Sequence, residues 1–356
     1  MHLLYLCNND GSDPRINKEI RTLSKIYKID FVGMKSNQGH CFIAPYVTGI
    51  HIISSGRRNI PGLCKYFILV LKLLCRKRYH SIHIINEPLL LLCYPLLWCC
   101  RTNIVLDLFD SIFLRMNKSG EEWVLLKRII YALPDCIIVT DEERKNLLPA
   151  HVQIKTYKLP NYPPNITLEE TIRLGGAGLT IMYYGWFGKH RGTDLAIKLL
   201  KASEKVRLIM AGWPGDNESH DLLKHPRVEY FGIITQEMAI KMAAGKADYI
   251  LCVYNPVNEN SIYASPNKIY DAIQANVPLI INREVKIASW VQKNRLGYIL
   301  ESIEEENLNS VVEELIKLKE TFIYSDKLKE AFVWEKVEGR LLKAHKYEDI
   351  AMHQSI

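Results

Sequence analysis

Continuous apolar runs of strand length recur along this chain, spaced so that a helix fits between most of them. In the first half they are "HLLYLC" (His2–Cys7), "KIDFVGM" (Lys28–Met34), "IHIIS" (Ile50–Ser54), "SIHIIN" (Ser81–Asn86), "NIVLDLF" (Asn103–Phe109) and "CIIVTD" (Cys136–Asp141). A strand covered on one face alternates apolar and polar residues, whereas a strand covered on both is apolar throughout. The intervening stretches, such as Ile16–Ile26 and Glu121–Tyr131, have helical spacing and supply the covers. The pattern breaks at "KLPNYPPNITLEETIRLGGAG" (Lys158–Gly178), where proline, glycine and polar residues make a linker. It resumes with "LTIMYYG", "VRLIMAG", "VEYFG", "YILCVY", "PLIIN" and "GYIL". The expectation is an α/β protein with two doubly wound, Rossmann-like domains in tandem, over 1–165 and 166–322, followed by a helical segment over 323–356 with Trp334, Val337, Leu341 and Leu342 as its stripe. A length of 356 residues agrees, being too great for one ordinary core. Ligands of such sheets gather at the carboxyl ends of the strands, and two facing domains make a cleft.

At 48% hydrophobic and 24% charged residues the chain is globular, not disordered. Its nine cysteines are odd in number, show no CxxC pair or metal-ligand spacing, and eight precede residue 140. Several lie in apolar runs (Cys93, Cys99, Cys100), which reads as reduced, buried thiols of a cytoplasmic protein. No signal peptide is visible in "MHLLYLCNNDGSD". Charge is uneven: residues 1–165 hold 22 Lys/Arg and 13 Asp/Glu, residues 166–356 hold 24 and 26. In "LCKYFILVLKLLCRKRYH" (Leu63–His80), Lys65, Lys72, Arg76, Lys77 and Arg78 are mixed with Phe67, Ile68, Leu69, Leu71 and Leu74. That mixture suits a helix lying on an anionic membrane surface rather than on nucleic acid; a core helix with a solvated basic end is the alternative. "PLLLLCYPLLWCC" (Pro88–Cys100) is short of the roughly 20 residues a spanning helix needs. It reads as a buried helix or as part of the same surface.

The stretch "SPNKIYDAIQANVPLII" (Ser265–Ile281) is the most informative for chemistry. Ser265 suits an N-cap and Pro266 the first helical position. The first-turn amides of Asn267 and Lys268 would then face outward at the positive end of a helix dipole, a place for an anion. Lys268 would add charge, and Asp271, one turn on, could accept from hydroxyls. A phosphate beside a diol is a nucleotide. An ordinary capped helix is the plain alternative.

The pieces "SDPRINKEIRTLSK", "SIHIINEP", "VLDLFDS", "PDCIIVTDEERKNLL" with "LPNYPP", "YYGWFGKHRGTDLAIKLL", "LIMAG" and "YASPNKIYDAIQANVPLII" follow one another along nearly the whole chain. In that order they resemble the GT-B glycosyltransferases of the large retaining group called glycosyltransferase family 4. The resemblance implies a nucleotide-sugar in an interdomain cleft, gripped by the second domain, an acceptor bound mainly by the first, and a final helix crossing back. It implies that Ser265, Pro266, Asn267 and Lys268 cradle the donor diphosphate and that Asp271 holds the ribose. The family's Glu-x7-Glu is altered here: Asp271 takes the second position and Tyr263 the first, with Glu259 nearby. Lys189 and Arg191, on the loop after Gly185, become the clamp for the leaving diphosphate, whose departure concentrates negative charge. Arg191 stands where the family has Lys, and Trp186 where it often has another Arg. In "NNDGSDPRIN", Gly11 would let backbone approach the donor and Arg15 would point to the cleft, while Asp13 and Pro14 also read as a helix start. Asp110 follows a strand where relatives carry His-Asp or His-Glu, with Phe109 replacing that His; capping the next helix is its other reading. Glu87 is the acceptor-side candidate of "SIHIINEP", and His83, between isoleucines, reads as a buried core histidine.

No Asp-x-Asp motif is present, so metal independence is expected, with Lys and Arg neutralising the leaving group. The implied activity is retaining transfer from a UDP- or GDP-sugar to a glycan acceptor, lipid-linked, in bacterial surface polysaccharide (O-antigen, capsule or exopolysaccharide) synthesis. The implied place is cytoplasmic, peripheral on the inner face of the membrane. Alternatives are another GT-B enzyme such as a nucleotide-sugar epimerase, or a partner that binds nucleotide or glycan without turnover. A nicotinamide dehydrogenase would need a glycine fingerprint, which "GWFGKHRG" (Gly185–Gly192) does not match.

Overall fold

The computed structural model describes residues 1–34, 42–54, 59–120, 123–168, 177–304 and 307–346. The chain forms two compact units: Met1–Pro160 with the segment starting at Val337, and Asn161–Lys336.

The first unit holds seven strands: β1 (His2–Leu6), β2 (Lys28–Met34), β3 (Gly49–Ile53), β4 (Ser81–Ile85), β5 (Asn103–Leu108), β6 (Cys136–Val139) and β7 (Thr156–Lys158). They pair in parallel in the order β3-β2-β1-β4-β5-β6-β7. The second unit holds six: β8 (Leu179–Phe187), β9 (Val206–Pro214), β10 (Val228–Tyr230), β11 (Tyr249–Leu251), β12 (Leu279–Asn282) and β13 (Gly297–Leu300). Their order is β10-β9-β8-β11-β12-β13, again parallel. The strands of β1, β4, β6 and β12 are buried almost throughout, as their unbroken apolar sequences require. In each sheet the order reverses once, between β1 and β4 and between β8 and β11. A crevice opens at the carboxyl ends of the strands at such a point.

Twelve of these strands match the apolar runs. The thirteenth, β7, is the three-residue "TYK" beside β6. The helix expected from Glu121 is observed over Val124–Ile130, residues 121 and 122 lying outside the described residues, as do 169–176 of the linker and 347–356 of the tail. The expected C-terminal helical segment is shared between the units. Asp326–Ala331 belongs to the second, where Phe332 packs on Tyr162 at 5.2 Å and Trp334 N–H donates to Pro163 O at 2.7 Å. Glu338–Ala344 packs against helix Pro14–Ser24 of the first, burying Leu341.

The thiols divide as well. Cys7, Cys93, Cys136 and Cys252 are buried, but Cys64, Cys75 and Cys99 are exposed and Cys100 half-buried, which corrects the reading of Cys99 and Cys100 as buried. Among the described residues no helix is long and apolar enough to cross a membrane.

Candidate functional site

The second unit gathers most of the sequence-marked residues at its switch point. Strand β8 ends in "YYGWF", and β9 runs beside it to Pro214. Here Gly185 (φ +95°) and Gly212 (φ +143°) come so close that a Cβ on Gly212 would stand 1.8 Å from Gly185 O. No L side chain fits there, and the β8 loop can turn over the sheet end. A Cβ on Gly185 would meet nothing within 4 Å, so that side is open.

Beyond β8, Lys189–Arg191 forms a short 3-10 turn, and Asn255 N–H donates to His190 O at 3.1 Å, tying this turn to the loop after β11. The Arg191 guanidinium lies over the Tyr254 ring, 4.3 Å from its centroid. Lys189 is exposed, and its N–H donates to Asp216 Oδ2 at 2.7 Å.

Helix Asn267–Ala275 starts on the same side. Its cap is Pro266, without a side-chain hydrogen bond, so the expectation of Ser265 as N-cap and Pro266 as first helical residue shifts by one. Ser265 is buried instead. Its carbonyl accepts from Asn161 Nδ2 at 3.2 Å, while its Oγ has no hydrogen-bond partner. A buried hydroxyl without a hydrogen-bond partner, beside the Asn267 and Lys268 amides at a helix start, is suited to a polar ligand.

The Lys268 ammonium turns inward. It donates to Leu251 O at 3.0 Å and lies 5.1 and 5.3 Å from the ring centroids of Tyr183 and Tyr184. Burial first, with the nearby Arg191 charge, lowers its pKa to about 8 against the opposing pull of Cys252 and Asp271. Asp271 is buried and accepts from Tyr184 Oη and from Gln236 Nε2, each at 2.7 Å. Tyr263 caps the short helix Glu259–Ile262, and Glu259 sits in its first turn. The structure therefore brings Arg191, Lys268, Ser265 and Asp271 together, and adds Tyr184, Tyr254 and Gln236, which sequence reasoning missed. Tyr184 had a visible signal in its place just before the glycine at the end of β8.

In the first unit the marked residues face inward. Arg15 is the main correction. It is buried, its Nη2 donating to Asp107 Oδ2 at 2.9 Å, its Nη1 to Leu159 O at 2.9 Å, with Nε 2.9 Å from Glu19 Oε1. The two buried carboxylates take the guanidinium that was expected to face a ligand. Glu19, His83 and Asp107 could by themselves surround a metal ion, their ligand atoms lying within 4.8 Å of one another, but the Arg15 cation already holds that place. His83 is buried as expected, stacked on Tyr5 at 4.5 Å, with Nδ1 3.1 Å from His345 Nε2. Gly11 (φ +87°) is held by packing: a Cβ would lie 2.7 Å from Ile43 Cδ1, so the close approach is to Ile43.

Glu87 is also corrected. It is buried and accepts from Ser111 Oγ at 2.6 Å, Tyr131 Oη at 2.8 Å and Ile112 N–H at 3.2 Å, which makes it a tie between helices. Burial raises its pKa. Asp110 does not cap the next helix; Ser111 does. Asp110 is half-exposed, paired with Arg115 at 2.7 Å, and is the first-unit candidate that reaches solvent.

No protein-family model and no curated protein sequence matches this chain. Solved structures do resemble it. Sucrose-phosphate synthase from Thermosynechococcus elongatus superposes with a TM-score of 0.72 at 14% identity, over 99% of this chain and 100% of that one. HepE from Anabaena, in complex with UDP-glucose, gives 0.69 at 12% identity, over 98% and 100%. WaaG, a glycosyltransferase involved in lipopolysaccharide biosynthesis, gives 0.61 at 13%, over 98% and 95%. At these identities the likeness concerns the backbone, and the chain has the two-domain, Rossmann-like GT-B fold of these structures.

Proposed function

We propose that this chain is a glycosyltransferase that binds a UDP- or GDP-sugar at the carboxyl ends of β8 and β11. The observation that carries this reading is the convergence of Arg191, Lys268 and the unsatisfied Ser265 hydroxyl at a helix start. Two cations and a polar helix mouth suit a diphosphate. Asp271, anchored by Tyr184 and Gln236, is the acceptor placed for a ribose diol. The similar structure carrying UDP-glucose supports a nucleotide-sugar as the ligand class.

In the reaction, the bond between the sugar's C1 and the diphosphate oxygen breaks and a new C1–oxygen bond to the acceptor forms on the same face. The departing phosphate oxygen takes the acceptor's proton, so no protein base is required. Arg191, Lys189 and Lys268 hold the charge that collects on the diphosphate. The acceptor is a glycan, lipid-linked, of a bacterial surface polysaccharide, met at the cytoplasmic face of the membrane by the basic helix of the first unit. WaaG, with its role in lipopolysaccharide biosynthesis, supports that direction. Asp110, which reaches solvent, is the acceptor-side candidate left in the first unit.

The reading is tested by a panel of UDP- and GDP-sugars scored by thermal shift, then by turnover with the stabilising donor. Arg191→Ala is expected to lower kcat/KM on the order of 10²-fold, and activity is expected to persist in excess EDTA. Near-normal kcat/KM in Arg191→Ala, or activity abolished by EDTA and restored by Mn²⁺, would overturn the clamp. A second reading, binding without turnover, is favoured by one observation: both oxygens of Asp271 already accept from protein donors. Donor binding with no product from any acceptor glycan would decide for it.

A further inference from the structure

Half of the large apolar side chains that the described residues expose lie between positions 60 and 129. They fall on three neighbouring helices and one loop of the first unit. Helix Ile60–Arg76 buries Tyr66, Val70 and Leu73 and turns Ile68 and Leu71 outward, beside the exposed Lys65, Lys72 and Arg76. Helix Asn86–Trp98 touches it on one side and Val124–Ile130 on the other, where Tyr94 Oη donates to Ile129 O at 3.2 Å. Asn86–Trp98 exposes Leu91 and, at 69%, Trp98. Val124–Ile130 buries only Lys127 and Ile130 and exposes Leu125 at 71% and Ile129 at 54%, with Val124 and Leu126. All three helices pack on one core cluster, so their outer sides form a continuous face.

The charge of this face is one-sided. Residues 31–106 contain a single acidic residue, Glu87, and it is buried. Lys65, Lys72, Arg76, Arg78, Arg101 and Arg128 are exposed. Lys77 is not part of the set, since it pairs with Asp30 at 2.8 Å. An apolar patch of this extent in water marks an interaction surface. A patch made of Leu, Ile and Trp with basic residues and, among the described residues of its three helices, no exposed acid matches a bilayer that is apolar within and anionic at its surface.

We propose that this face lies on an anionic lipid bilayer, with Leu125 and Ile129 of helix Val124–Ile130, and Trp98, entering the acyl boundary while Lys65, Lys72, Arg76 and Arg128 meet the headgroups. This deepens the membrane reading above by moving the anchor from helix Ile60–Arg76 to Val124–Ile130. Helix Ile60–Arg76 supplies charge; Val124–Ile130 supplies depth. The donor residues lie in the other unit, so the two readings fail separately.

The test is flotation of the full chain with vesicles of phosphatidylcholine alone or with phosphatidylglycerol, at low and high salt. Binding is expected only with phosphatidylglycerol and to weaken with salt. Leu125→Gln/Ile129→Gln is expected to weaken it by about tenfold or more, leaving the melting temperature and UDP binding unchanged. Lys72→Gln/Arg76→Gln is expected to weaken binding most at low salt. Should the apolar double variant melt lower, quenching of tryptophan fluorescence by brominated lipid gives an independent readout: quenching in the unaltered protein and its loss in Trp98→Phe are expected. Absence of vesicle binding overturns the proposal, as does binding or quenching indifferent to these substitutions. A dimer that Leu125→Gln/Ile129→Gln converts to monomer, without vesicle binding, overturns it in favour of a second copy as the occupant. Loss of UDP binding in the unaltered protein would instead strike the donor site and leave the lipid result standing.

Discussion

Lys268 is the residue whose chemistry is set most sharply by its surroundings. Its ammonium is folded back over two tyrosine rings, and burial brings its pKa to about 8. Below that value it is charged and available to a diphosphate; above it the charge is lost. A terminal phosphate has its second pKa at about 6 and is fully charged above neutrality, so a change in affinity just above pH 8 does not come from the phosphate. UDP binding followed by calorimetry is expected to be flat from about pH 7 to about pH 8 and to weaken above it. Lys268→Arg, which stays charged, should remove the alkaline decline. A wild-type affinity that does not change across that range would remove Lys268 from the grip. The place of this residue was legible in sequence, because Ser265–Asp271 follows a strand end and opens a helix. The inward turn of its side chain was not legible. Nor was the pairing of Asp271 with Tyr184 and Gln236, or of Arg15 with Asp107. Those partners come from other strands and helices, and local spacing carries no information about them. Glu87 shows the same limit: a glutamate at a strand end looks available until Ser111 and Tyr131 are seen to enclose it.

At the scale of elements, the sheets were readable because a parallel strand buried on both faces can be built only from an unbroken apolar run. β7 escaped because "TYK" is an edge strand with one buried residue. What holds helix Glu338–Ala344 to the first sheet was also hidden, since it rests on a polar contact inside an apolar layer. His345 Nδ1 lies 2.6 Å from Ser81 Oγ on β4, and its other nitrogen faces His83. Around His83 stand Tyr5 on β1, Glu19 and Arg15 on the first helix, and Asp107 on β5. Burial lowers His83 to about 4 and His345 well below its ordinary value. Both are neutral in the fold and would take up protons near pH 6.5 when unfolded. Between those limits the unfolded chain binds more protons, so stability is complete above about pH 6.5 and declines as pH falls towards 4. For His83 alone the loss is of order 3 kcal/mol. Urea unfolding of the first unit at a series of pH values should show this slope, and His83→Asn should flatten part of it. Because the raised carboxyls of Asp107 and Glu87 act in the opposite sense, the decisive comparison is with the variant: a His83→Asn profile parallel to that of the unaltered protein would mean His83 is not buried neutral.

The whole molecule is a chain that builds most of one unit, completes a second, and returns to finish the first. The second unit is continuous, from Asn161 to Lys336, and closes on itself: Tyr162 packs on Tyr270 at 4.6 Å, and Trp334 is buried with its N–H bonded to Pro163 O. The first unit is discontinuous and depends on its last piece. Leu341, Ala344 and His345 are buried there. Tyr27 Oη donates to His345 O at 3.2 Å, Asn103 Nδ2 to Ala344 O at 3.1 Å, and Thr22 Oγ1 to Glu338 at 2.7 Å. Ending the chain after Lys336 removes all of these. Losing the burial of Leu341 costs about 2 kcal/mol, and each buried polar group left without a partner costs roughly 1–3 kcal/mol. His83 loses its His345 partner while Ser81 and Asn103 keep the bonds they make to each other, so with the burial of Leu341 the loss is of order 3–5 kcal/mol, a large share of the 5–15 kcal/mol that holds an ordinary domain together. The second unit loses none of its own contacts. The truncated chain is therefore expected to show one cooperative thermal transition in place of two, with the first unit unfolded. It should still bind UDP with close to the full chain's affinity, because Arg191, Ser265, Lys268 and Asp271 all lie in the surviving unit. Calorimetry of melting together with UDP titration checks both halves. Two intact transitions would show that the returning helix is dispensable. UDP binding lost along with the first unit would show that the donor site needs residues from both.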